Sequence, residues 1–135
     1  MNKILIFLIS IILIYGCNSN AQDSNLIIGK WECYRVTCAD GRDLDLNGHK
    51  FNTDYFWEFT KRTYIDYYSE HPLLTKEAEY TLKDSTLNIG NSKWLIERLN
   101  NDTLIICFIQ PLDNKISPNS RRTYFKKVSS FTNVH

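Results

Sequence analysis

The chain between Leu26 and Val128 is a series of short runs rich in aromatic and β-branched residues, separated by polar turns. Runs of this kind are typical of β-strands. Eight can be counted, with no convincing helical period between them: 26–36, 55–60, 63–69, 79–82, 86–89, 93–99, 103–110 and 121–128. Most are joined by tight turns, so neighbouring strands are expected to pair antiparallel. Because eight such strands can close and remove the sheet edges, the sequence predicts an all-β, up-and-down, eight-stranded barrel.

One hairpin has a register that its turn predicts. Residues 55–60 and 63–69 are joined by Lys61-Arg62, which sets Thr60 opposite Thr63. Directly opposed residues share one face of a sheet. This register places three pairs on a common face: Phe59 with Tyr64, Trp57 with Asp66, and Tyr55 with Tyr68.

The first seventeen residues have the layout of an export signal. Lys3 supplies a positive start, residues 4–15 are almost entirely apolar, and Gly16 precedes Cys17. The apolar run is shorter than the roughly 20 residues that a membrane-spanning helix needs. A small residue directly before a cysteine predicts a lipoprotein signal peptide that is removed before Cys17, whose thiol is lipidated. An uncleaved anchor and an ordinary secretory signal are the alternatives.

This interpretation divides the chain into a signal peptide at 1–16, a lipidated polar tether at 17–25, a barrel domain at 26–129 and a tail at 130–135. Removal of the signal leaves 119 residues, enough for a single core. They carry 15 basic and 15 acidic side chains, since Lys3 leaves with the signal. A neutral chain argues against nucleic acid as a partner, because nucleic acid requires a clustered basic surface.

Three further cysteines follow Cys17, namely Cys33, Cys38 and Cys107. An exported protein can hold a disulfide. If Cys33 and Cys38 lie on one strand they point to opposite faces and are too far apart to bond, which favours a bridge from either to Cys107. The alternative is that some or all of these thiols are buried and reduced.

The segment Gly29-Lys30-Trp31, at the start of the first strand, matches the Gly-x-Trp motif of lipocalins. The closing Tyr124-Phe125-Lys126-Lys127 and the earlier alternation are also similar. The chain resembles the small lipocalin-like lipoproteins of Bacteroidota-type bacteria. The resemblance implies a closed barrel in which Trp31 plugs the base and a basic residue near the last strand, Arg121 or Arg122, packs over it by a cation–π contact.

The aromatic residues suggest a ligand site inside the barrel. A small-molecule site usually combines apolar walls with a few polar groups. The side chains that fit this description are Tyr55, Trp57, Phe59, Tyr64, Asp66, Tyr80 and Trp94. The alternative is that these rings simply fill a small barrel.

Metal and catalytic motifs are weak. Residues 43–54 have the spacing of a calcium loop, with Gly48 at the sixth place, but leucines fill two intervening positions and Asp54 replaces the usual glutamate. A solvated loop with an Asn-Gly turn is the favoured interpretation. The sequence contains no serine-hydrolase elbow, zinc-protease helix motif or phosphate-binding glycine loop. No cofactor, metal or enzymatic activity is therefore predicted.

Two functions follow as hypotheses. In the first, a lipid-anchored barrel binds a small apolar or amphipathic molecule in the cell envelope. In the second, a packed barrel is a scaffold, and loops 40–52 and 111–120 bind an envelope protein. Asn18 is not the aspartate that some bacteria use for inner-membrane retention, which favours the outer membrane.

Overall fold

The computed structural model describes residues 24–68 and 75–131. The signal peptide, Cys17 and most of the tether lie outside these residues. The chain forms eight strands: β1 (Gly29–Cys38), β2 (Tyr55–Phe59), β3 (Thr63–Tyr68), β4 (Lys76–Lys83), β5 (Thr86–Ile89), β6 (Ser92–Leu99), β7 (Thr103–Ile109) and β8 (Arg121–Val128). Within the described residues, no helix has the length and hydropathy that crossing a membrane would require.

The strands close into one barrel in chain order. Each strand pairs antiparallel with the next, and β8 pairs antiparallel with β1. The predicted all-β, up-and-down barrel is therefore confirmed. The predicted hairpin register is also present, with Phe59 opposite Tyr64 and Trp57 opposite Asp66.

The first strand is displaced from its predicted position. Residues 24–27 are helical, and β1 begins at Gly29 and continues to Cys38. Its register shifts between Cys33 and Arg35, which leaves Tyr34 half exposed on the outside. An inserted residue of this kind bends a strand and increases its twist, as closure of a small barrel requires.

The core lies in the middle of the barrel. It consists of inward-facing side chains from most strands, among them Trp31, Phe59, Leu87, Leu104, Ile106 and Phe125, all 1 % exposed or less. Outside the barrel, the ring of Phe131 lies 5.5 Å from that of Phe56 and 5.2 Å from that of Tyr67. The first part of the segment assigned to the tail therefore packs against the outer face of β2 and β3.

An arginine on the outer face links three parts of the barrel. Arg122 forms a bidentate ion pair with Glu97, at 2.6 and 2.9 Å, and donates a third bond to the carbonyl oxygen of Ala39 at 2.7 Å. Glu97 lies at the register shift of β6, and it raises the pKa of Arg122. Arg122 thus joins β6 and β8 to the end of β1.

We expect Arg122→Lys to reduce the free energy of unfolding by about 1–2 kcal/mol, since an ammonium group cannot reproduce the planar, bidentate contact. Urea unfolding followed by circular dichroism measures the loss. Arg98→Lys, on an exposed side chain of the same sheet, is the matched control and should change stability by less than about 0.5 kcal/mol. Equal losses in the two variants would contradict the role given to Arg122.

Cys33, Cys38 and Cys107 are free and buried. The expected bridge to Cys107 is therefore absent, and the alternative of buried, reduced thiols describes the structure. Burial disfavours the thiolate and raises the pKa of Cys33 from 9.0 to about 12.

This shift predicts alkaline instability. The folded chain holds the Cys33 proton more tightly than the unfolded chain, so the stability it contributes is complete below pH 9 and is lost between pH 9 and about 12. Tyr67 acts in the same direction, because burial and its hydrogen bond to Glu58 raise its pKa from 10.0 to about 12. Urea unfolding at pH 8, 9 and 10 should show a decline that is shallower in Cys33→Ala. An identical slope in both proteins would exclude Cys33 as a contributor.

Candidate functional site: a cavity at the open end of the barrel

The strand registers define two different ends of the barrel. The tight turns after β2, β4 and β6 gather at one end with the start of β1, and we call this the closed end. The longer loops 39–54 and 110–120 lie at the opposite end, which we call the open end.

Trp31 occupies the base of the barrel at the closed end. Its side chain is fully buried, and its indole N–H donates to the carbonyl oxygen of Ile27 at 2.7 Å. The helical turn at 24–27 therefore lies across the base. This partner explains why β1 starts later than the sequence suggested, since the preceding residues form the turn that accepts the indole hydrogen bond.

The cation over Trp31 is Lys127. Its Nζ lies 5.0 Å from the ring centroid and donates to the carbonyl oxygen of Leu26 at 2.9 Å. Burial lowers the pKa of Lys127. The sequence pointed to Arg121 or Arg122, but these residues lie at the other end of β8, beside Cys38 and Thr37.

Gly29 is required by the same arrangement. Its backbone φ of +132° is rare for any residue that has a side chain. A Cβ atom added at this position would lie 2.7 Å from Cε of Lys127. The Gly-x-Trp segment thus places a glycine where the lysine crosses and a tryptophan beneath it.

The predicted ligand-binding residues separate into two groups. Phe59 and Tyr64 are buried in the packed middle of the barrel, at 1 % and 6 % exposure. Tyr80 packs its ring 5.0 Å from that of Phe59 and donates its hydroxyl to the carbonyl oxygen of Thr60. Trp57 lies nearer the open end and lines a cavity.

Asp66 stands opposite Trp57 in the sheet register and is partly buried. It takes part in an interaction of its own. The binding role assigned to these five residues stays a prediction.

The cavity lies inside the open end and has a volume of about 380 Å³. This is at the lower end of the range for small-molecule sites. Five aromatic side chains and four polar ones line it: Phe51, Tyr55, Trp57, Trp94, Phe108, Gln110, Asn119, Arg121 and Thr123. Trp57 and Phe125, with ring centroids 4.8 Å apart, separate it from the packed core below.

Two of the polar groups at the cavity can only donate, namely the guanidinium of Arg121 and the indole N–H of Trp57. Arg121 donates to the hydroxyl of Tyr55 at 3.1 Å, and its guanidinium lies 5.8 Å from the ring centroid of Phe51. The indole N–H of Trp57 is buried and has no hydrogen-bond partner among the described residues. Such a donor costs about 1–3 kcal/mol when left unsatisfied.

The two long loops form one continuous rim around the cavity. The backbone amides of Ala39 and Asp40 donate to the carbonyl oxygens of Ser120 and Pro118, at 2.7 and 3.2 Å. The rim also exposes large aliphatic side chains: Leu44 at 43 %, Leu46 at 72 %, Leu112 at 100 % and Ile116 at 37 %.

Two acidic residues of loop 43–54, Asp43 and Asp45, have partners within the protein. Asp43 forms an ion pair with Arg35 at 2.9 Å. Asp45 accepts from the backbone amides of Asn47 and His49, both at 2.8 Å, and these amides lower its pKa. Across residues 24–68 and 75–131, no group of three or more potential ligands is arranged to hold a metal. The segment folds as a small hairpin closed by the bridge between Leu44 and Lys50.

A second concave region is a wide surface depression of about 420 Å³, lined by Lys61, Arg62, Glu79 and Tyr80 among others. It lies on the outside and is open to solvent. The interior cavity differs because it is more enclosed and mostly aromatic.

Sequence reasoning did not identify several residues of the interior cavity, among them Phe51, Phe108, Gln110 and Asn119. Phe51 and Asn119 lie on loops, and Phe108 and Gln110 lie where β7 ends. Alternation could have oriented Phe108 through its pairing with Trp94. No local signal marks a loop side chain that folds over a barrel mouth.

Two solved structures are similar in fold. A lipocalin-like protein from Bacteroides uniformis ATCC 8492 is 16 % identical, with a TM-score of 0.53, and the match covers 76 % of this chain and 99 % of that one. An uncharacterized protein from Bacteroides eggerthii DSM 20697 is 12 % identical, with a TM-score of 0.51 and the same coverage. No family model and no curated protein matches this sequence.

Identities this low establish a shared fold and not a shared ligand. The resemblance to lipocalin-like proteins is confirmed at that level, because the similar chain from Bacteroides uniformis is itself lipocalin-like. The protein therefore has a lipocalin-like fold, built as a closed, eight-stranded antiparallel barrel.

Proposed function

We propose that the protein is a non-enzymatic carrier or sensor that binds one small apolar or amphipathic molecule in the open end of its barrel. The observation that carries this proposal is the aromatic cavity of about 380 Å³ above a packed core. A barrel of eight strands can hold either side chains or one small ligand. This barrel holds side chains in its lower part and leaves space in its upper part.

A fluorescent apolar probe tests the proposal. N-phenyl-1-naphthylamine should bind the full-length protein saturably at one site, and native mass spectrometry after gentle purification should detect a small molecule from the producing cells. Thr123→Phe, which adds a ring from a buried wall of the cavity, should abolish probe binding. Gln110→Trp, at the rim, blocks the site from a less buried position.

Thr81→Phe is the matched control, since Thr81 is exposed and lies on the outside of β4. It should bind the probe like the original protein. Undiminished binding in both blocked variants would exclude the cavity as the site.

We further propose that the protein is attached to the cell envelope by lipid on Cys17, at the outer membrane in preference to the inner. The support is the sequence of the first seventeen residues, which has a charged start, an apolar stretch and a small residue before the cysteine. Helical residues 24–27 lie at the closed end, so the anchored chain would reach the barrel from its base and leave the open end directed away from the lipid.

A second candidate function is protein binding by the rim. It is favoured by Leu46 and Leu112, which expose 72 % and 100 % of their surface on the two adjoining loops. Exposed apolar side chains that cluster mark interaction sites. Crosslinking in membranes should capture an envelope protein that Leu46→Ser with Leu112→Ser releases. A captured set unchanged by this double substitution would remove the support for the rim.

A further inference from the structure

The cavity has a one-sided charge. Of the described residues that line the cavity, Arg121 is the only charged one, and none carries a carboxylate. Its guanidinium is bonded to a neutral group, the hydroxyl of Tyr55. In residues 24–68 and 75–131, no aspartate or glutamate lies within ion-pair distance of Arg121, in contrast to Arg122 with Glu97 and Arg35 with Asp43. The neighbouring Arg122 is thus paired with a carboxylate, whereas Arg121 has no carboxylate partner among the residues that the structure describes.

We infer that the ligand has an anionic head, a carboxylate or another acid of similar size, that binds Arg121 while its apolar body lies between the aromatic walls. This inference rests on the proposed function. An arginine presents a planar fork of donors that matches an acid group. The position of Arg121, at the first residue of β8 and beside Asn119 and Gln110, sets the head near the mouth and the body deeper in the barrel.

Trp57 provides a second donor next to the site. Its indole N–H is buried and satisfied by no described residue, so a ligand oxygen that reached it would meet an unsatisfied donor. The inward-facing carboxylate nearest in register, Asp66, is paired with Trp57 on the adjacent strand and has an interaction of its own. Other polar groups of the lining, such as the amide of Gln110 and the hydroxyl of Thr123, can donate or accept. The guanidinium of Arg121 can only donate and carries a positive charge, so it favours an acceptor-rich, anionic head.

A matched pair of probes tests the charge. 1-Anilinonaphthalene-8-sulfonate and N-phenyl-1-naphthylamine share an aromatic body, and the first carries an anionic group. The full-length protein should bind the sulfonate more tightly than the neutral probe. Arg121→Gln should weaken sulfonate binding about tenfold, the effect of losing one charge-assisted contact at an exposed residue, and should leave binding of the neutral probe within about twofold.

Arg98→Gln is the control for the loss of one positive charge, because Arg98 is exposed on β6 at the closed end. It should change neither affinity, and thermal unfolding should show that both variants fold. If both probes bind and Arg121→Gln weakens neither or both equally, the inference fails and the proposed function stands. If neither probe binds the protein, the proposed function fails, and the inference with it.

Discussion

Trp31→Ala should remove a large share of the stability of the barrel. The side chain is fully buried, and truncation of such an aromatic residue costs about 3–5 kcal/mol. A domain of this size is stable by only about 5–15 kcal/mol. The substitution also removes contacts with neighbouring elements. The indole N–H donates to Ile27 in the helical turn at 24–27, and the ring packs under Lys127. Urea unfolding followed by far-ultraviolet circular dichroism measures the change.

Trp94→Ala is the matched control, since it truncates the same side chain where it is partly exposed and lines the cavity. Its cost should be clearly smaller, because part of the ring surface already meets solvent. Lys127→Met keeps the apolar stem and removes the charge over Trp31, and should cost about 1 kcal/mol. A loss in Trp31→Ala no larger than that in Trp94→Ala would show that the base is not the region on which stability depends.

The different outcomes of the sequence predictions have a physical reason. The hairpin of β2 and β3 was predictable in register because its turn is two residues long, and the turn alone fixes which residues are opposed. The bounds of the last strand were also predictable, since the alternation of buried and exposed side chains from Arg121 to Val128 is a local pattern.

The residue that covers Trp31 depends on long-range closure. β8 meets β1 only after six intervening strands, and a register shift at Tyr34 lies between the two ends of their pairing. This pairing sets Lys127 directly opposite Trp31 and moves Arg122 to the far end. β8 carries four cations, and the local sequence does not tell which of them lies over Trp31, so the assignment required the closed barrel.

The residues that line the cavity were predictable only in part, for the same reason. Alternation identifies Trp57 as inward-facing, but it cannot tell whether an inward ring is buried beneath others or faces a space. Trp57, Phe59 and Tyr64 all point inwards, yet only the first lines the cavity, because the loop residues Phe51 and Asn119 enclose the space above it. Loops of this length are set by contacts with each other, such as that between Ala39 and Ser120.

Cys17→Ser should transfer the whole population of the protein from the membrane fraction to the soluble fraction. The proposed lipid is attached through the thiol, and serine provides no thiol for it. Membrane affinity grows by about 0.8 kcal/mol for each buried methylene, so that one chain binds marginally and two or more bind firmly. Residues 17–135 carry 15 basic and 15 acidic side chains, and this balanced charge offers no electrostatic replacement for the lipid.

Asn18→Ala is the matched control, because it alters the adjacent residue and keeps the thiol. It should stay in the membrane fraction, and labelling with palmitate should mark it and the original protein but not Cys17→Ser. Intact mass should place the N-terminus at Cys17 with acyl chains attached. If the mass of the original protein instead included residues 1–16 and no acyl chain, the segment would be an uncleaved anchor. A soluble Cys17→Ser protein with an unchanged melting temperature would show that the stability of the barrel does not depend on the lipid, as expected from the contacts of Trp31 with Ile27 and Lys127 at the closed end.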